Sequence, residues 1–154
     1  YTDHCWTWCV GKADKKKMKL LLAGRNAVEN AIPKAIVGNR TGDLGYEMRM
    51  EALRNGFNTL SIYVGHGIGK GLHENPEIPA FGQKGAGALL EDGMVICIEC
   101  QVVNDIQDVR IDADGWSAKT KNSGNAVMFE YMAIVRKEKP DVLTDTFDWD
   151  TVVV

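Results

Sequence analysis

Two strand-like runs, Met94 to Val103 and Val127 to Arg136, each hold a glutamate, Glu99 and Glu130, among residues that are otherwise largely apolar. An ionised carboxylate buried in such a strand is expensive unless a cation or a hydrogen-bond network compensates it. Exposure on an edge strand would explain either glutamate alone about as well as function would. Two such residues together favour a shared cation, and a fold that brings both strands to one place.

The rest of the chain must supply that fold. Tyr1 to Val10 reads as a strand rich in Trp, Thr, Val and Cys, stopped by Gly11. A helical pattern runs from about Ala13 to Ala35, with Met18, Leu20, Leu21, Leu22, Ala27, Val28 and Ile32 as its apolar stripe, and Pro33 should kink or end it. The turn at Gly38 to Asp43 leads into a second helix, about Asp43 to Arg54, closed by Asn55-Gly56. A short strand at Thr59 to Val64 enters a glycine-rich loop around His66. Further strands are predicted at Asp108 to Asp112 and Trp116 to Thr120, with turns at Asp114-Gly115 and Ser123-Gly124-Asn125. Neither a repeat nor a linker divides the sequence. Residues 1–154 therefore read as one α+β domain, a curved antiparallel sheet with two helices packed on one face.

Composition removes several partners. A net charge of -3 offers no broad attraction for nucleic acid or anionic lipid, and the lysines from Lys12 to Lys19 read as a solvated helix start. No run approaches the roughly 20 apolar residues of a membrane span, and no signal-peptide layout opens the chain, so a cytoplasmic location is expected. Because the chain begins with Tyr1 on an apparent strand, a further segment is expected upstream. Cys97 and Cys100 form a Cys-x-x-Cys pair, but residues three apart in a strand face opposite ways and cannot clasp one ion. With Cys5 and Cys9 they read as free thiols in a reducing compartment.

His66 stands among Gly65, Gly67, Gly69 and Gly71. Such glycines permit close backbone approach or positive φ, which suits a fixed imidazole that a ligand or metal must reach. A lone loop histidine is more often solvated or structural. A phosphate-cradling loop is a poor reading, since no Lys-Ser/Thr follows, and His73-Glu74 lacks the second histidine of a zinc-protease helix.

Several ordered blocks resemble type I methionine aminopeptidases. These are Val64-Gly65-His66-Gly67-Ile68-Gly69, then Leu72-His73-Glu74-Asn75-Pro76 and Ile78-Pro79-Ala80-Phe81-Gly82. Leu90-Glu91-Asp92-Gly93-Met94-Val95-Ile96 with Ile98-Glu99 follows, then Asp114-Gly115-Trp116 with Lys119-Thr120, and Phe129-Glu130. Asp3, in the strand before Val10-Gly11, matches one of that family's metal aspartates. The resemblance implies the pita-bread fold and one or two divalent metal ions, Mn, Fe, Co or Zn, held by Asp3, His66, Glu99 and Glu130 without thiolates. It also implies Glu99 as proton shuttle, His73 as donor to the tetrahedral intermediate, and Leu72 and Trp116 beside His73 in the methionine pocket.

The implied substrates are peptide or nascent-protein N-termini. A second metal aspartate and a further histidine of that pattern would lie upstream of Tyr1, so that segment or another copy of the chain is the implied partner, and reduced activity is expected without it. Cys100 stands where the family usually has proline, and Tyr131-Met132 where it has His-Thr. The alternatives are a non-enzymatic peptide-binding relative of the same fold and a sister enzyme that cleaves before proline.

Overall fold

The computed structural model describes residues 1–104 and 108–153. In chain order the elements are β1 (Cys9–Val10), α1 (Lys15–Ala31), a 3-10 turn (Ile32–Lys34), α2 (Thr41–Arg54), β2 (Asn58–Thr59), β3 (Val64–Gly67), β4 (Glu74–Pro79) and β5 (Val95–Val103). They continue with β6 (Val109–Ile111), β7 (Ala118–Thr120), β8 (Ala126–Ile134), β9 (Asp141–Val142) and β10 (Val152–Val153).

Local chemistry sets the helix ends. Asp14 accepts a hydrogen bond from the Lys17 amide at 2.8 Å, so α1 starts at Lys15 rather than Ala13. Pro33 cannot supply an α-helical hydrogen bond, and the chain tightens into the 3-10 turn after Ala31 instead of continuing to Ala35. Asp43 reaches back to accept from the Arg40 amide at 2.8 Å, which places it in the first turn of α2 and moves the helix start to Thr41.

The main sheet runs β4-β3-β5-β8-β9, with β2 also paired to β5. Its spine is the antiparallel β5–β8 ladder, in register from Val95↔Ile134 to Val103↔Ala126. Side chains alternate between its two faces. On one face Ile96, Ile98, Cys100 and Val102 meet Val127, Phe129, Tyr131 and Ala133, all buried, with α1 lying across β5 and β8 and α2 packing beside it on β2 and β4. The helices contribute Leu20, Leu21, Ala27 and Val28 from α1 and Leu44, Met48 and Ala52 from α2. Gly24 lets α1 lie close, since a Cβ there would stand 2.5 Å from Val127 Cγ2 and 3.2 Å from Phe129 Cδ2. The two expected helices on one face of an antiparallel sheet are thus present.

The N-terminal segment departs from expectation. Only Cys9–Val10 forms a strand, and it pairs in parallel with β10. Asp3 to Thr7 runs as a strap along β8: the Glu130 amide donates to the Cys5 carbonyl at 2.9 Å, and the Thr7 hydroxyl both donates to the Met128 carbonyl (2.6 Å) and accepts from its amide (3.0 Å). A side chain here replaces a backbone rung, which is why the strap is not a continuous strand. Trp6 anchors it in the core with its ring edge-on to Phe129, centroids 5.0 Å apart. No helix among the described residues is long and apolar enough to cross a membrane.

Candidate metal centre

The second face of the β5–β8 ladder carries Cys97, Glu99 and Gln101 on β5, opposite Met132, Glu130 and Met128 on β8. Glu99 and Glu130 are direct cross-strand partners, 8% and 3% exposed. Like charges directly opposite one another destabilise a sheet, so this pairing needs compensation. Among the described residues no lysine or arginine forms an ion pair with Asp3, Glu99 or Glu130.

β3 brings the imidazole. His66 pairs with Cys97 across β3 and β5, and the β3–β4 pairing is interrupted there, with Asn75, Pro76 and Glu77 opposite His66. Irregularities of this kind re-aim a side chain next to a functional site. The flanking glycines serve close approach: a Cβ on Gly65 would collide with the Cys97 carbonyl, and one on Gly67 with that of Asn75. Neither has positive φ. His66 Nδ1 lies 2.9 Å from the Gly67 carbonyl, an acceptor only, so the proton resides on Nδ1 and Nε2 is left as the ligating nitrogen. That Nε2 is 3.8 Å from Asp3 Oδ2, the aspartate presented by the strap.

Asp3, His66, Glu130 and Cys97 each offer one donor atom within 4.8 Å of the others. Three of the four expected metal ligands therefore converge. Glu99 lies outside this tight set, and its Oε2 accepts a hydrogen bond from Gln101 Nε2 at 2.6 Å. It belongs to the same charged group nonetheless: burial, and then the Asp3 charge, raise its pKa, against the lowering effects of Gln101 and His66. Burial, with the charges of Asp3 and Glu99, pushes Glu130 up to about 8. Glu130 Oε1 is buried and has no hydrogen-bond partner.

An orphaned carboxylate oxygen beside two further carboxylates and a bare imidazole nitrogen is an environment that a divalent cation satisfies, and the donor set fits one. Cys97 was not foreseen among these residues. The signal was its i, i+2 spacing to Glu99, which places both on one face of β5. All four cysteines are free, as expected, and Cys100 faces the opposite side in the core.

His73 stacks edge-on to His66, with centroids 4.4 Å apart and planes at 80°. Both line a cleft of about 430 Å³ with Val64, Glu74, Asn75 and Glu77. Leu72 and Trp116 are not part of this lining. Leu72 is exposed beside it in sequence, while Trp116 is 89% exposed at the β6–β7 hairpin, where Asp114 Oδ1 accepts from its amide at 2.9 Å.

Carboxylates and an imidazole gathered over one face of an antiparallel sheet, beside an open cleft, make a candidate divalent-cation centre. Residues 1–137 match the metallopeptidase family M24, and the chain belongs to that family. It is 35% identical over 147 residues to the methionine aminopeptidase of Aquifex aeolicus, covering 93% of this chain and 56% of that protein. The crystal structure of the Thermotoga maritima methionine aminopeptidase matches with a TM-score of 0.85 at 33% identity, over 88% of this chain and 54% of that one. A Bacillus anthracis Xaa-Pro dipeptidase shares the fold alone, with a TM-score of 0.75 at 19% identity over 99% of this chain and 37% of that one. The fold is thus the pita-bread fold, and the chain spans about half the length of the curated relatives it matches.

Proposed function

We propose that this chain carries the metal-binding part of an aminopeptidase that removes N-terminal methionine from peptides and nascent proteins, using a divalent ion such as Mn, Fe, Co or Zn. The observation that carries the reading is the buried, unpartnered Glu130 Oε1 in a cluster with Asp3 and His66. Asp3, His66 and Glu130 would hold the ion, with Glu99 beside them. A divalent cation there supplies Lewis acidity toward a peptide carbonyl and a water molecule.

The side chains divide the remaining work. Gln101 orients the Glu99 carboxylate, whose raised pKa suits it to take a proton from the attacking water and return it to the departing amine. His73, exposed at the cleft and edge-on to His66, is placed to donate a hydrogen bond to oxyanion charge developing on the substrate. Leu72 and Trp116 are assigned to the methionine side chain by the family resemblance alone, and neither lines the cleft around His66 and His73. Nascent chains as substrates and four free cysteines support a cytoplasmic location.

Elemental analysis after purification without chelator tests the reading, followed by hydrolysis of Met-Ala-Ser with added Mn²⁺ or Co²⁺. About one transition-metal equivalent per chain, and methionine release lost in His66→Ala, are expected. No bound metal would favour the peptide-binding alternative. The 154 residues hold one of the two metal aspartates implied by the family resemblance, so turnover by these residues alone should be slow, because misplaced water and substrate are costly to rate.

A further inference from the structure

We propose that Cys97 supplies a thiolate donor to this centre, so that the site takes a thiophilic divalent ion, Zn²⁺ or Co²⁺, and discriminates against Mn²⁺ and Mg²⁺ more strongly than carboxylates and imidazole alone would. The proposal rests on the reading of Asp3, His66 and Glu130 as metal ligands.

Register places the sulfur independently of side-chain rotamers. Cys97 is the direct cross-strand partner of His66 on β3, and of Met132 on β8. It therefore projects from the same face as Glu99 and Glu130. Its Sγ lies within 4.8 Å of one donor atom from each of Asp3, His66 and Glu130. A tetrahedral ion with bonds of about 2.0–2.3 Å holds its ligands about 3.3–3.8 Å apart. The Asp3–His66 separation of 3.8 Å is already at that value, and shifts on the order of 1 Å bring in the others.

Glu99 is bonded to Gln101 and lies outside the set, so that the Cys97 sulfur is the fourth donor atom grouped with the other three. A plain core thiol is the competing account, because Cys97 also packs with Ile68 and Met132. That account gives Glu130 a thiol hydrogen bond from Cys97 but still leaves its Oε1 buried without a partner.

As the Sγ–metal bond forms, the thiol proton leaves to solvent, and the ion's positive charge offsets the burial and the charges of Glu130, Asp3 and Glu99 that push the Cys97 thiol up in the metal-free site. Soft sulfur then favours Zn²⁺ and Co²⁺ over the harder Mn²⁺ and Mg²⁺.

Cobalt spectroscopy tests this without turnover. The full chain is stripped of metal, loaded with Co²⁺, and its near-ultraviolet thiolate-to-cobalt charge-transfer band recorded beside metal content. The band should appear in wild type, persist in Cys5→Ser and Cys100→Ser, and vanish in both Cys97→Ser and Cys97→Ala while these still bind Co²⁺. The ratio of Zn²⁺ to Mn²⁺ affinity should fall at least about tenfold in Cys97→Ser, the low end of what loss of a supporting group costs a metal site. Cobalt bound to wild type without the band overturns the proposal and leaves the metal centre standing, as does a band that survives in Cys97→Ser or disappears in Cys5→Ser. Failure of wild type to bind Co²⁺ at all overturns the metal centre itself.

Discussion

The two faces of the β5–β8 ladder are made from the same strands in the same register, yet they are built on opposite principles. One face meets α1 through Ile96, Ile98, Cys100 and Phe129, where apolar area removed from water stabilises the fold. The other sets Glu99 directly against Glu130, with Asp3 and His66 beside them, where burial works against folding until a cation is present. The difference teaches that the helix-covered face sets the position of the carboxylates. Slipping the register by one residue would relieve the repulsion only by turning the core outward.

Substitutions on each face should therefore fail in different assays. Phe129→Ala removes a fully buried ring from the core face and should cost about 3–5 kcal/mol in urea unfolding. A comparable loss from Glu130→Gln would break the contrast between the faces. Glu130→Gln should instead lower metal affinity by about 100-fold or more by calorimetry while the metal-free protein keeps its fold. Unchanged affinity would remove Glu130 from the ligand set. Gly24→Ala presses a methyl toward Val127 and Phe129 and should cost about 1–3 kcal/mol of stability with metal affinity unaltered.

The same contrast bears on pH dependence. Glu130 has an ordinary pKa of 4.5 when unfolded and about 8 when folded. The folded state thus holds a proton that the unfolded state has lost between those values. In metal-free protein this contribution is complete below about pH 4.5 and is lost as pH rises through about 8, so the melting temperature should decline across that window. Glu130→Gln should flatten the decline, and identical profiles for wild type and variant would show that the group is solvated in the metal-free state.

Much of this contrast was readable in the sequence because a charge in a β-period apolar run marks a face. Glu99 and Glu130 did so, and the glycines around His66 marked close backbone approach. Asp3 was placed by its resemblance to a metal aspartate, while its actual support, a strap fastened by Cys5 and Thr7, depends on contacts more than 120 residues away in the chain. β4 gives no strand signal in the sequence, since Pro76 and Pro79 interrupt it, which an edge strand tolerates. β1 and β10 pair across nearly the whole chain, and two-residue strands have no periodicity to detect. Cys97 looked apolar, as buried thiols do, and only its shared face with Glu99 distinguished it.

The strap has a kinetic consequence. His66 and Glu130 are carried by one sheet and move with it, whereas Asp3 sits at the end of a segment held to β8 by the Cys5 bridge and the Thr7 hydroxyl. Local openings cost less than global unfolding. An ion would leave once the strap shifts far enough to surrender Asp3, and because Trp6 ties that segment into the core, its residence time would report the strength of that anchor.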